Sequence, residues 1–394
     1  MTAPLTPTRR FGIFLLRALG ALSTAWNVVG VTLLLLVLLV GAVLTVRAIR
    51  GGPVSENDRA DHPYRGQPWF PGLVREFDAS LQMEWAPYVY WRRRPMVGEY
   101  VNVDSAGVRR TVQPRPTSAT RRGIFFLGGS TMWGTGQRDA WTIPSIVAES
   151  LAARNITDVE LTNYGETGYV SSQELIQLEM ALRKGARPSV VVFYDGINDV
   201  ASSAQSGECG LPQNETRRKF EFALGRFVSQ RTLRDFRALV RTTRERARVG
   251  TDGDRGARLD TLAVAHGVVD CYARTAQIVE LLAVKYGFRV LYFWQPTPGT
   301  SPKPLTSYEV AVMDTMSADP LRRVLRSLNR HAAAEIDSAM KPLAGDRFRN
   351  LAPLFSGDTA TVWLDYVGHV TERANTRIAN AMVGPIAQAL APPR

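Results

Sequence analysis

Gly123-Ile124-Phe125-Phe126-Leu127-Gly128-Gly129-Ser130 is the stretch from which the rest of the chain can be read. The first five residues form a short apolar and aromatic run, as a strand buried on both faces requires. Two glycines end it in a turn that can be tight and can bring backbone N–H groups close to a ligand. Ser130 then opens a segment, Thr131 to Gly136, that leads toward a helix. In an open α/β sheet, chemically active groups sit at the carboxyl ends of strands, where Ser130 lies. Taken alone, it is equally well an N-cap after an ordinary strand-to-helix turn.

The pattern repeats along the chain. Val159 to Asn163, Ser189 to Tyr194 and Phe288 to Trp294 are further short β-branched and aromatic runs, with Phe348 to Leu354 a weaker fifth. Helical stretches stand between them, such as Thr142 to Arg154, Ser171 to Lys184 and Asp270 to Tyr286. Apolar strands alternating with helices imply a parallel sheet covered on both faces, an α/β fold of three layers. One domain over 75–394 accommodates it, and no internal repeat competes.

Two of these strands end as the first does. Asn163-Tyr164-Gly165-Glu166-Thr167-Gly168 follows the second, and a glycine there exposes its N–H without side-chain cover. Asp195-Gly196-Ile197-Asn198-Asp199 follows the third, and the Asn198 amide can donate to a developing oxyanion. Near the C-terminus Asp365-Tyr366-Val367-Gly368-His369 holds one of four histidines in the chain. Neutral imidazole is the natural base near pH 7. Each block by itself has a plain structural reading as a turn or a surface loop.

Together the four blocks resemble the SGNH hydrolase superfamily, the GDSL esterases and lipases. The resemblance covers about residues 120–380. It implies a three-layer α/β/α, flavodoxin-like parallel sheet, with no metal or organic cofactor. It makes Ser130 the nucleophile and His369 the base, with Asp365 as the partner of His369. The Ser130 N–H, the Gly168 N–H and the Asn198 side chain would form the oxyanion hole. Gly168 is preferred to Gly165 because the family's glycine comes late in this block. Two positions depart from the family's pattern. Gly129 stands where the family often has Asp, and Asp365 precedes His369 by four residues rather than three. A spacing of i, i+4 on a helix would still join the two side chains.

Residues outside this frame bear on location. No charged residue occurs between Arg17 and Arg47, and the most apolar part of that stretch is Val28 to Val46. At about 1.5 Å per residue those nineteen residues make a helix roughly 28 Å long, close to the hydrocarbon thickness of a bilayer. The run exceeds a cleaved signal's apolar region, and Arg47 and Arg50 interrupt any cleavage site. The expected organisation is a cytoplasmic tail and transmembrane anchor over 1–50, a linker over 51–74, and the hydrolase-like domain beyond. Arginines flank the span on both sides, so charge counting alone does not orient it. The domain is placed outside the cytoplasm because a single N-terminal anchor usually serves an exported domain and because the resemblance implies it. There, Cys209 and Cys271 would be free to form one disulfide.

The chain carries a net charge of +12, and residues 1–55 contain no Asp or Glu. A second basic run, Arg217 to Arg248, lies on an amphipathic helical pattern within an insertion at about 201–260. It reads as a solvated face or as a contact for anionic lipid. Zinc-finger and RNA-binding signatures are absent, so a nucleic-acid partner is not expected. Trp85 to Trp91, with Tyr88 and Tyr90 between, reads as a segment packed on the domain or as a sugar-stacking surface. The expected function is a membrane-anchored serine esterase acting on short, O-acetyl-like esters of a cell-envelope glycan or lipid. The alternatives are an O-acyltransferase using the same residues with a glycan hydroxyl as acceptor, and a noncatalytic glycan-binding module.

Overall fold

The computed structural model describes residues 26–42, 57, 59–114, 121–230, 260–317 and 320–391. Two compact units divide after Arg59. In the first, 26–42 form a helix (α1) whose side chains are exposed. Among the described residues no helix is long and apolar enough to cross a membrane. The expected span runs on through 43–46, which lie outside the described residues, as do 1–25 of the tail and 51–56 and 58 of the linker.

The second unit opens with α2 (Phe70–Ser80) and a hairpin of β1 (Met83–Ala86) and β2 (Tyr90–Arg93). The central strands are β3 (Arg122–Gly128), β4 (Val159–Asn163), β5 (Pro188–Asp195), β6 (Arg289–Trp294) and β7 (Phe348–Asn350). They form one parallel sheet in the order β4-β3-β5-β6-β7. This is the flavodoxin-like order, with its topological switch at β3.

The strands alternate between two cores because successive side chains point to opposite faces. Ile124, Phe126, Val190, Val192, Leu291 and Phe293 enter one core. There they meet Ile146 and Leu151 of α4 (Ile143–Ala152) and Ile378 and Met382 of α11 (Glu372–Leu390). Phe125, Leu127, Val191, Phe193 and Tyr292 enter the other. That face is covered by α5 (Ser171–Arg183), α8 (Thr261–Tyr286) and α10 (Pro320–Ala344), through Leu182, Val268, Val279, Leu328 and Ile336. The three layers expected from the sequence are therefore present, with four strands within a residue or two of their expected limits and the fifth shorter.

The linker expected over 51–74 ends earlier than its composition suggested. From Ala60 onward the chain belongs to the large unit. The His62 ring stacks on Phe70 at 4.4 Å between centroids, and the Tyr64 hydroxyl accepts the Glu372 N–H at 2.6 Å. Tyr64, Trp69 and Phe70 pack around Leu364, next to the Asp365 block, so polar composition misled there. Within the expected insertion, α6 (Ile197–Ser206) and α7 (Glu215–Gln230) are helical, and 231–259 lie outside the described residues. Cys209 and Cys271 are joined, tying the α6–α7 connection to α8.

The short helix α3 (Ser130–Trp133) follows β3 directly. Its last residue, Trp133, is fully buried between two arginines, with the Arg93 and Arg109 guanidinium carbons each 4.2 Å from its ring. Arg109 is paired to Asp139 at 2.9 Å, and Arg93 to Glu166 at 3.4 Å. Trp133→Ala leaves a cavity and two buried cations without their aromatic partner. It is expected to cost about 3–5 kcal/mol, read as a lower urea midpoint.

Candidate active site

The sheet order places β4, β3 and β5 side by side, so the turns leaving them are neighbours. In the register, Gly128 pairs with Tyr194 and Phe126 with Asn163, which brings the ends of all three strands to one edge. Ser130, Gly168 and Asn198 each follow one of them. His369 arrives from the loop before α11. Ser130, Gly168, Asn198 and His369 all line a cavity of about 390 Å³.

The Ser130 hydroxyl lies 2.7 Å from His369 Nε2. On the other side of the ring, Nδ1 is hydrogen-bonded to Asp365 Oδ2. Asp365 Oδ1 accepts the backbone N–H groups of Val367 at 3.0 Å and His369 at 3.1 Å. The carboxylate therefore folds the loop that carries its own histidine. Gly368, at φ 90°, supplies the left-handed turn within it. The four-residue spacing thus closes through a carboxylate-capped loop, not through the helix that an i, i+4 pair suggests.

The three donors expected to face an oxyanion lie on neighbouring turns. Among the described residues, neither the Ser130 N–H nor the Gly168 N–H finds a backbone acceptor. Gly168, at φ 75°, sits where a side chain would be strained. Gly165 instead serves packing, because a Cβ there would lie 2.5 Å from the Trp133 nitrogen and would push α3 away. Asn198 donates through Nδ2 to the Tyr169 carbonyl at 2.8 Å and accepts at Oδ1 from Gln213 at 3.3 Å. Those two bonds fix which end of the amide faces which way, leaving its second N–H to donate. A Cβ at Gly129 would come within 2.0 Å of Asn198 Nδ2. In this chain, Gly129 leaves the room that the amide occupies.

Carboxylates buried behind these turns hold them in place. Asp199 accepts the Ser171 hydroxyl at 2.6 Å, and burial pushes its pKa up to about 6. Burial, with the charge of Asp199, raises Asp195 to about 8, and Tyr272 donates to it at 3.1 Å. Glu174 beside it is raised well above the carboxylate range, first by burial and then by Asp195. Two adjacent buried carboxylates cannot both ionise cheaply, which favours the neutral form of Glu174. Under the Gly168 loop, Glu166 accepts the Thr167 N–H at 2.7 Å and the Arg93 N–H at 2.8 Å. Burial still lifts it to about 7 against the pull of Arg93.

The aromatic stretch 85–91 is the β1–β2 hairpin, and it packs on this same loop. Trp91 Nε1 donates to the Thr167 carbonyl at 2.8 Å, and the Tyr169 hydroxyl to the Trp91 carbonyl at 2.5 Å. Trp85 and Tyr88 stand exposed at 67% and 74%, so the packing reading covers Trp91 and not those two. Residues that the sequence did not single out are Arg93, Glu166 and Gln213. Arg93 meets Glu166 across 73 positions, a separation at which no periodicity signals contact.

No curated protein matches the chain. Among solved structures, it is similar to a putative arylesterase from Agrobacterium tumefaciens str. C58, at 17% identity and a TM-score of 0.35, over 68% of this chain and 100% of that one. It is also similar to a member of the lipolytic protein G-D-S-L family from Veillonella parvula DSM 2008, at 14% identity and a TM-score of 0.36, over 68% and 99%. For the acetyl xylan esterase AlAXEase the values are 16% and 0.34, over 67% and 99%. At such TM-scores these likenesses decide nothing about fold or activity. The family model described as the GDSL-like Lipase/Acylhydrolase family matches residues 126–360, more than half the chain. That span begins in β3, just before Ser130, and takes in the turns with Gly168 and Asn198, and with it the chain belongs to the GDSL-like lipases and acylhydrolases and is a hydrolase of that kind.

Proposed function

We propose that this chain is a serine esterase that removes short acyl groups, O-acetyl-like in size, from a cell-envelope glycan or lipid. The observation that carries the reading is the chain of contacts from Ser130 Oγ through both nitrogens of His369 to Asp365. Ser130 Oγ attacks the ester carbonyl as His369 Nε2 takes its proton. Asp365 holds the imidazole in the tautomer that leaves Nε2 free and stabilises the imidazolium. The Ser130 N–H, the Gly168 N–H and the Asn198 amide receive the oxyanion. His369 returns the proton to the departing alcohol, leaving acyl-Ser130. A water deprotonated by His369 then attacks, the acid leaves, and Ser130 recovers its proton.

The cavity, about 390 Å³, suits a small acyl group with part of its alcohol. An anchor through the apolar run 28–46 would hold the domain at a membrane, outside the cytoplasm. The Cys209–Cys271 bridge supports that placement, since disulfides persist in oxidising compartments. Contact of the basic run 217–248 with anionic lipid is part of the same proposal, and much of that run lies outside the described residues.

The test is hydrolysis of p-nitrophenyl acetate by the full chain. Steady turnover is expected, with Asn198→Ala lowering kcat about 10²–10³-fold at unchanged fold, since one oxyanion donor is lost. A burst that stalls and resumes on adding a glycan would assign an acyltransferase instead. No release by the folded protein across several acyl lengths would contradict the reading.

A further inference from the structure

The cavity over Ser130 has a charge pattern of its own. Among the described residues no Asp or Glu lines it, and Arg326 is the one permanent charge on its wall. A second cavity shares Pro298, Gly299 and Arg326 with the first and adds Arg330, again with no carboxylate. The groove therefore leads from Ser130 past two arginines one helical turn apart on α10. Both are exposed, and neither side chain makes an ion pair or hydrogen bond among the described residues. Several arginines in the same unit are instead paired with carboxylates, as at Arg109, Arg122, Arg138 and Arg347. The stem of Arg326 is set by packing: a Cβ on Gly299 would lie 3.0 Å from its Cγ, so the 297–301 turn rests against it.

The side of the site also follows from contacts. The loop carrying His369 abuts this wall, since a Cβ on Gly368 would lie 3.8 Å from the Pro296 carbonyl and from Pro298 Cδ. The alcohol takes its proton from His369, so it departs toward that loop. Arg326 and Arg330 therefore flank the alcohol half of the ester. We propose that Arg326, with Arg330 beyond it, selects esters whose alcohol half carries an anion, a carboxylate or a phosphate. This rests on the esterase reading above and names the substrate class of that same site. A guanidinium suits either group because its fork of donors matches two oxygens at once.

The experiment compares three acetyl esters on the full chain: 4-acetoxybenzoate, 4-acetoxyphenyl phosphate and the neutral methyl 4-acetoxybenzoate. The readout is the ratio of kcat/KM for each anionic ester to that for the neutral one. Comparing the ratio between wild type and variant cancels the differing reactivity of the three phenols. Arg326→Ala is expected to lower the ratio about tenfold or more, and Arg326→Lys to restore part of it. Raising the ionic strength should lower the wild-type ratio as well, a reading that needs no variant to fold. Whichever anionic ester shows the larger change identifies a carboxylate or a phosphate as the natural group. A ratio indifferent to both Arg326 and salt, with all three esters turned over, overturns this proposal alone. Absence of Ser130-dependent turnover of the neutral ester overturns the esterase reading, and this proposal with it.

Discussion

Ser130→Ala is expected to lower kcat for p-nitrophenyl acetate about 10⁶-fold, to the level that binding and the oxyanion donors sustain without a nucleophile. The size of the effect follows from how the site is joined. Ser130 Oγ is the single hydroxyl on His369 Nε2, at 2.7 Å, and no other serine or threonine contacts that nitrogen among the described residues. Without it the base has only water to activate. Ser130 is at most 9% exposed, and its Oγ has no described partner besides His369, so the substitution should leave the urea midpoint nearly unchanged. His369→Ala should cost about as much. The double variant should cost little more than either alone, because residues that act as one unit are not additive. Initial rates on the three variants, with denaturation curves as the control, check this.

Asp365→Asn should lower kcat about 10⁴-fold while KM changes little. The carboxylate accepts at Oδ2 from His369 Nδ1 and at Oδ1 from two backbone N–H groups. An amide can keep the backbone bonds through its oxygen but then presents NH₂ to Nδ1. The imidazole must turn its lone pair to that NH₂, which puts a hydrogen on Nε2 and removes its capacity to accept the Ser130 proton. The prediction separates a base partner from a loop cap. If Asp365 served only to fold the 365–369 loop, Asn would be nearly neutral in rate. A kcat within tenfold of wild type would show that this carboxylate does not set the tautomer.

The parts that were legible in the sequence share one physical property. Strands β3, β5 and β6 lie inside the sheet and are mostly buried on both faces, so each is a near-continuous apolar run that stands out from the helices around it. At the edge, β4 alternates buried Val159 and Leu161 with exposed Glu160. The turns at their ends follow from that placement, which is why Ser130, Gly168 and Asn198 could be named before any geometry was known. β7 has three residues and left only a faint signal, because the sheet edge needs little. The join of Asp365 to His369 was legible as a pair but not as a structure. The sequence spacing suggested a helical turn, and the loop is instead closed by the carboxylate and a left-handed Gly368. Ala60 to Leu73 was misread because Gly, Pro and charge dominate its composition, while a few aromatic side chains decide its burial. The Arg93–Trp133–Arg109 stack left no signal at all. It joins three separate segments, and each member alone is an unremarked residue.

The central claim is a covalent one, that the acyl group passes through Ser130. The most direct test is to react the full chain with a p-nitrophenyl alkylphosphonate, which mimics the tetrahedral adduct and stays attached, and to locate the added mass by peptide sequencing. One equivalent on the peptide containing Ser130, with activity lost in proportion and no labelling of Ser130→Ala, is the predicted result. Activity that survives stoichiometric labelling of Ser130, or a label carried by another residue as activity is lost, would contradict the account.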